Sequence, residues 1–358
     1  MIICLAACQN EGLDRKKGSI RVSAFAYEGQ VVSRAADGYT DFANTYGATS
    51  STPLVMPFWA VSDDNSFKFE ASYNGEGWSS YCHLEPDTYN FYSYLPKSNP
   101  GEFGVEFSEG SPATEFSEGS PATLTFSDVP AVLGKDLLVS VATTSVNSST
   151  TDNPYDQVID GSEQQLLTFR MDHVLAKLTF SFTNPTGKSF SDLRRIVIKE
   201  VEVKTDWSPR WNIVCTMGNS LSYNIKPSDG EPVTHTIENN SSQPTIGESV
   251  TGYLVEQKAY NESASTSFGS CYLVPNEVPN DGHAVAIRAT YDVYDKNGTL
   301  IRENEIAVNN SLVITLKNTL GYNPIEAGTE YKVNVQVIPD YLYVLGDDDA
   351  GNALQIGS

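Results

Sequence analysis

The chain has 358 residues, more than one ordinary hydrophobic core accommodates, so two domains are the starting expectation. Apolar residues make up 40% and charged residues 19%, the composition of a globular chain rather than a disordered one. The formal net charge of −22 sets the chain against nucleic acid and anionic lipid surfaces, and no run of about eighteen apolar residues offers a membrane-spanning helix.

The chain opens MIICLAAC. Leu5-Ala6-Ala7-Cys8 has the form of a bacterial lipobox: an apolar residue and two small ones stand before the cysteine that receives lipid, because a signal peptidase must approach the backbone closely at the cut. No basic residue precedes it and the apolar run is shorter than a signal peptide requires, so the competing reading is a terminus with a free or buried thiol. With Cys4 removed and Cys8 lipidated, Cys82, Cys215 and Cys271 remain. None shows metal spacing, and three buried apolar thiols are expected.

SIRVSAFAY (19–27) alternates Ile20, Val22, Ala24 and Ala26 against Arg21, Ser23, Phe25 and Tyr27, the period of two of a first strand. Arg34 falls in the polar segment that follows. Residues 53–96 are dense in aromatic strands, and Asn74-Gly75-Glu76-Gly77 marks a hairpin between two of them. Tyr89, Phe91 and Ser93 face one way there, and Asn90, Tyr92 and Tyr94 the other. EFSEGSPAT then occurs twice in tandem, at 106–114 and 115–123. Nine is odd, so such an insertion inside a paired strand would turn every following side chain to the wrong face. An exposed loop with no function of its own is the expected place for it, and two copies do not make a repeat architecture. DLLVSVAT (136–143) reads as a strand, and the polar residues 146–165 read as a domain boundary.

LLTFRMDHVLAKLTFSFTN (166–184) reads as the first strand of a second domain, with Leu178, Phe180 and Phe182 on one side and Lys177, Thr179, Ser181 and Thr183 on the other. IVIKEVEVK (196–204) is a strand with an irregularity at Lys199-Glu200, and 269–274 and 284–294 are further strands. Asp295-Lys296-Asn297-Gly298 turns the chain tightly, 299–306 runs back, and 312–316 is a short apolar strand. In 330–338, Tyr331, Val333, Val335 and Val337 share one face. The tail reads DYLYVLGDDDAGNALQIGS.

Composition and spacing point to no enzyme and no cofactor. His83, His173, His235 and His283 lie far apart without a metal pattern, and neither a phosphate-cradling glycine loop nor a GxSxG elbow occurs. His173 stands beside Asp172, yet neighbours on a strand face opposite sides, so a structural histidine is the expectation. Asp347-Asp348-Asp349 and Asp63-Asp64-Asn65 are acidic turns that lack the spacing of a calcium loop. Trp59, Trp78, Trp207 and Trp211 could stack on a sugar, but tryptophan in a β-protein is more often core.

Five passages in order resemble the fimbrillin superfamily of Bacteroidales, the fimbrial subunits and their lipoprotein relatives. They are Trp78, YNFYSYLP (89–96), DLLVSVAT (136–143), FRMDHVLAKLTFSF (169–182) and AGTEYKVNVQV (327–337). The resemblance implies an all-β chain of two tandem transthyretin-like β-sandwich domains. A signal remnant and tether would cover 1–18, the sandwiches 19–165 and 166–345, and a tail 346–358. It also implies export as a lipoprotein, followed by removal of the first strand by an arginine-specific protease and filling of the vacated groove by a strand of another subunit. Placed on this chain, the lipid goes on Cys8 and the cut falls after Arg34, Arg21 lying inside the strand. The displaced strand carries Ile20, Val22, Ala24 and Ala26, and the donor tail offers Leu342, Val344, Leu345, Leu354 and Ile356. The implied partners are other fimbrial subunits or a second copy, with the outer membrane reached through the lipid and the cell surface as location.

A run of aspartates interrupts the apolar residues of the tail. That departure suits a tip or anchor protein, or the alternative function, a non-polymerising surface lipoprotein adhesin that binds a glycan or host protein. A secreted β-sandwich hydrolase is a third class, because fold does not fix function.

Overall fold

The computed structural model describes residues 19–26, 46–111, 120–145, 154–159, 165–185, 194–205, 209–218, 220–231, 233–237, 239, 252–259, 264–275, 284–315 and 326–337. The named elements are all strands. In chain order they begin with β1 (Ser19–Ala26), β2 (Leu54–Val61), β3 (Ser66–Tyr73), β4 (Trp78–Ser80), β5 (Cys82–His83), β6 (Asp87–Leu95), β7 (Gly104–Ser108), β8 (Ala122–Pro130) and β9 (Val132–Leu133). Then come β10 (Leu138–Ser145), β11 (Asp156–Ile159), β12 (Gln165–His173), β13 (Ala176–Pro185), β14 (Arg194–Thr205), β15 (Arg210–Met217) and β16 (Leu221–Ser228). The last are β17 (His235–Ile237), β18 (Tyr253–Leu254), β19 (Glu256–Lys258), β20 (Gly269–Leu273), β21 (Ala284–Asp295), β22 (Leu300–Thr315) and β23 (Glu330–Gln336).

The largest sheet runs β4-β3-β2-β6-β10-β12-β1-β5, with β11 against β6. Its two end strands, β4 and β5, are joined through the single residue Tyr81, and the Ser80 hydroxyl donates to the Ile20 carbonyl at 3.1 Å. The sheet therefore curls until its ends meet. Its inner face buries Met56, Phe58, Phe91, Leu167, Phe169 and Met171 around Ile20 and Val22. A four-stranded sheet, β16-β15-β8-β7, lies over the outer face. Trp59, Tyr92, Tyr94, Phe126, Trp211 and Ile213 fill the space between them. This double burial explains why 89–94 is aromatic on both faces: Tyr89 and Phe91 enter one core, Tyr92 and Tyr94 the other.

A separate sandwich follows. The sheet β19-β13-β20-β9, with β23 against β13, faces the sheet β17-β14-β21-β22, with β18 against β14. Phe180, Phe182, Ile198, Val201, Phe268 and Val293 lie in the core between them. The register of β14 on β21 slips between Ile198 and Glu200, the expected irregularity. In the turn to β22, the Asp295 carboxylate accepts from the Asn297 and Thr299 amides, both at 2.8 Å, and Gly298 holds φ at 89°. The two runs expected after this turn are one strand, β22, which pairs with β21 across register shifts.

The stretch 166–184 is not a single strand of a second domain. β12 pairs with β1 and β10 in the large sheet, whereas β13 pairs with β20 and β23 in the sandwich. The change of sheet falls at Val174 and Leu175, both fully buried beneath the four-stranded sheet. The Val174 amide donates to the Leu137 carbonyl at 2.8 Å, and the Leu175 carbonyl accepts from the Gly328 amide at 2.9 Å.

The tandem nonapeptide is not confined to a loop either. Its first copy begins in β7 and its second ends in β8, so the described residues of the two copies face each other across one hairpin. Ser111 and Ser120, equivalent residues of the two copies, pair with each other through two amide–carbonyl bonds of 2.9 Å and a hydroxyl contact of 3.0 Å. Phe107 of the first copy stacks on Trp59, ring centroids 4.6 Å apart. Extra residues at a hairpin tip lengthen both arms together and leave the register below untouched. With 115–123 deleted, Ser108 faces a threonine as before and residues 109–113 form the loop. The single-copy chain is expected to keep its β circular dichroism and a cooperative melt within a few degrees of the parent. A non-cooperative melt would show that the duplicated tip is needed for folding.

Candidate functional site

The feature that can act on a partner is the seat of β1. β1 lies parallel to β12 over seven residue pairs, from Ile20 opposite Gln165 to Ala26 opposite Met171. On its other side β5 pairs with Ser19 and Ile20 only. Among the described residues no strand pairs with the outer edge of β1 beyond Ile20. The strand is thus held along one edge and pinned at one end of the other.

Side chains fix its orientation. Ile20 and Val22 are 2% and 3% exposed, Ala24 packs against the same core, and Arg21 is exposed. Burying two branched side chains is worth about 1.5–3 kcal/mol each. On the opposite face, the Ser23 and Thr168 hydroxyls lie 2.8 Å apart, which locks the parallel register. Alternation in the sequence identified Ile20, Val22, Ala24 and Ala26 as one row, and the structure buries the first two and seats the third. The partners of that row, Leu167, Phe169 and Met171 on β12, were not recognised as the floor of the groove. The signal for them is the alternation of Leu167, Phe169 and Met171 with Thr168 and Arg170.

Cys8, Arg34, Leu342, Val344, Leu345, Leu354 and Ile356 lie outside the described residues, as do His283, Trp207 and Asp347 to Asp349. Cys82, Cys215 and Cys271 are free, buried thiols, as expected; burial pushes Cys82 up to about 12 and the other two higher still. Trp59 and Trp211 are core residues, and Trp78 packs against the inner core. Among the described residues no group of three or more metal-ligating side chains exists.

His173 turns away from the exposed Asp172 and pairs through Nδ1 with Oδ2 of Asp136, which is 3% exposed. Burial pushes the Asp136 carboxyl up, while His173 and the Leu137 amide, donating at 2.8 Å, pull it back. The Tyr223 hydroxyl donates to the His173 carbonyl at 3.3 Å. The pair therefore ties the end of β12 to the start of β10 and to the four-stranded sheet, beside the point where the chain changes sheet.

No family profile and no curated protein matches this chain. Several solved structures do. A proposed cell adhesion protein from Bacteroides uniformis is 10% identical over 90% of this chain and 94% of its own, with a TM-score of 0.42. A fimbrial protein from Bacteroides vulgatus is 12% identical over 89% and 95%, with a TM-score of 0.41. The fimbrial anchor protein Mfa2 from Porphyromonas gingivalis is 9% identical over 89% and 90%, with a TM-score of 0.29.

Two measurements check this description. Ile20→Ala is expected to cost about 2–5 kcal/mol in denaturant unfolding, against a change within about 0.5 kcal/mol for Arg21→Ala. Equal effects would mean that β1 does not fill a groove. His173→Ala leaves Asp136 buried without its partner and is expected to cost about 3 kcal/mol; an unchanged midpoint would refute a structural role for the pair.

Proposed function

We propose that this chain is a cell-surface fimbrial subunit or accessory protein that assembles by exchange of its first strand. The observation that carries the reading is the seat of β1: a full-length parallel pairing with one neighbour, an apolar row pressed into a core, and an outer edge that, among the described residues, is paired only at Ser19 and Ile20. Loss of such a strand leaves the β12 edge with unpaired backbone groups and opens a slot lined by Leu167, Phe169 and Met171. A strand from another copy restores the ladder, with main-chain bonds giving affinity and alternate side chains giving register.

In this reading Cys8 carries lipid during export, an arginine-specific protease cuts after Arg34, and the segment from Leu342 to Ile356 supplies the donor. A row of two bulky residues followed by a small one is what the seat accepts, since it now holds Ile20, Val22 and Ala24. Leu354 and Ile356 with Ser358, or Leu342 and Val344 with Gly346, have that pattern in the tail.

The test is limited digestion of the purified chain by an arginine-specific protease, with and without a synthetic peptide of sequence SIRVSAFAY. Cleavage after Arg34 is expected to produce a ladder of oligomers that the peptide suppresses and that Arg34→Ala prevents. A chain that resists the protease at Arg34, or a truncated chain that stays monomeric without the peptide, overturns the proposal.

A further inference from the structure

The tip end of the β7–β8 hairpin borders a cavity of about 430 Å³, within the range of small-molecule sites. One wall is built from the tandem nonapeptide: Glu109, Gly110 and Ser111 of the first copy, and Ser120, Pro121 and Ala122 of the second. This wall is tightly set. Gly110 has φ of +75°, and a Cβ there would stand 2.2 Å from the Ser120 carbonyl oxygen, so the two arms press together at that point.

The facing wall is the turn between β2 and β3. Its backbone is fixed by the Ser62 amide donating to the Asn65 carbonyl at 2.8 Å. Ser62 is 8% exposed, lines the cavity, and its hydroxyl has no hydrogen-bond partner among the described residues. A buried hydroxyl without a partner is disfavoured unless something else completes it. Asp63 beside it and Glu109 across from it also line the cavity, and neither makes an ion pair with a described residue. Burial, and after it the charge of Asp63, pushes the nearby Asp156 carboxyl up. Val61, Tyr92 and Met217 supply an apolar part of the lining.

From this arrangement we infer that the cavity between the duplicated hairpin and the β2–β3 turn binds a neutral saccharide. A sugar presents hydroxyls around an apolar C–H face. Asp63, Glu109 and Asn90 accept from such hydroxyls, Ser62, Ser111 and Ser120 both give and accept, and Val61 and Tyr92 meet the C–H face. Two unpaired carboxylates disfavour anionic sugars. A divalent cation would want at least three clustered ligands, which the described residues do not offer. The site does not depend on strand exchange and would operate in an assembled or an unassembled chain.

Free glucose, galactose, mannose, N-acetylglucosamine, lactose and N-acetylneuraminic acid, together with tri-lysine as a cationic control, are to be titrated into the full chain by calorimetry and ligand-observed NMR. At least one neutral sugar is expected to bind, and N-acetylneuraminic acid at least tenfold more weakly. Ser62→Ala is expected to weaken sugar binding at least fivefold while leaving the melting temperature equal or higher, an outcome a merely structural serine would not give. Deletion of 115–123 is expected to abolish binding. Absence of any neutral sugar binding overturns the inference, as do retained affinity in both variants, equal binding of the anionic sugar, or binding of tri-lysine in place of sugars.

Discussion

The architecture depends on one continuous stretch that belongs to two cores. From β12 the chain passes through Val174 and Leu175 into β13 without a loop, and in those two residues it leaves one sheet and enters another. Both are fully buried and their backbone groups are bonded to Leu137 and Gly328. An irregular pair of residues can lie inside a protein only when its amides and carbonyls are satisfied in this way. The Asp136–His173 pair sits at the same junction and adds a side-chain tie. The four-stranded sheet that covers it draws β7 and β8 from before the stretch and β15 and β16 from after it.

The same stretch receives the first and last named strands of the chain, and both lie parallel to it. β1 runs along β12, and β23 runs along β13 from Lys177 opposite Glu330 to Thr183 opposite Gln336. Parallel neighbours cannot be joined by a tight turn, so each of these strands reaches its place from a remote part of the chain. That is the property an exchangeable strand needs: its covalent connection to its neighbour is long, and ladder bonds, side-chain burial and a few hydroxyl contacts hold it. The two differ in polar support. Across β13 and β23, Thr179 donates to Glu330 at 2.7 Å, Ser181 to Asn334 at 3.1 Å, and Asn334 to Thr183 at 2.9 Å. On β1 the hydroxyl of Ser23 reaches Thr168 and, at 3.5 Å, the Leu167 carbonyl.

Much of this was legible in residues with a strict period of two. Ile20 and Val22, Phe180 and Phe182, and Val333 and Val335 are buried as their alternation indicates, because one sheet face meets a core and the other meets polar neighbours. The turn chemistry of Asn74 was equally direct: its side chain accepts from the Glu76 and Gly77 amides at 3.0 and 2.9 Å. What alternation does not carry is sheet membership. β12 and β13 both alternate, yet their partners lie anywhere from 22 positions away (Ser145 opposite Leu167) to 153 (Lys177 opposite Glu330), and the point of change, Val174-Leu175, reads as ordinary apolar sequence. The partner of His173 was hidden for the same reason, since Asp136 precedes it by 37 positions. The tandem repeat was misplaced by a correct argument applied to the wrong case. An odd insertion reverses faces within a strand, but at a hairpin tip it enters both arms at once.

The pleat of the large sheet also separates the two proposed activities. On β2, Phe58 points to the core that seats β1, and its neighbour Trp59 points to the side of the hairpin; on β6, Phe91 and Tyr92 divide in the same way. A change at Phe58 or Phe91 alters the packing beneath β1. A change at Trp59 or Tyr92 alters the support of Phe107 and of the cavity wall, since Phe107 stacks on Trp59 at a centroid distance of 4.6 Å and packs tilted against Tyr92 at 5.5 Å. Alternate positions of one strand can therefore vary under different demands. The tip of the hairpin lies past the last ladder pair of β7 and β8, where added length costs little loop-closure free energy. Duplication of nine residues at that place enlarges a surface on the outer side of the sheet while the residues that seat β1 on the inner side keep their neighbours.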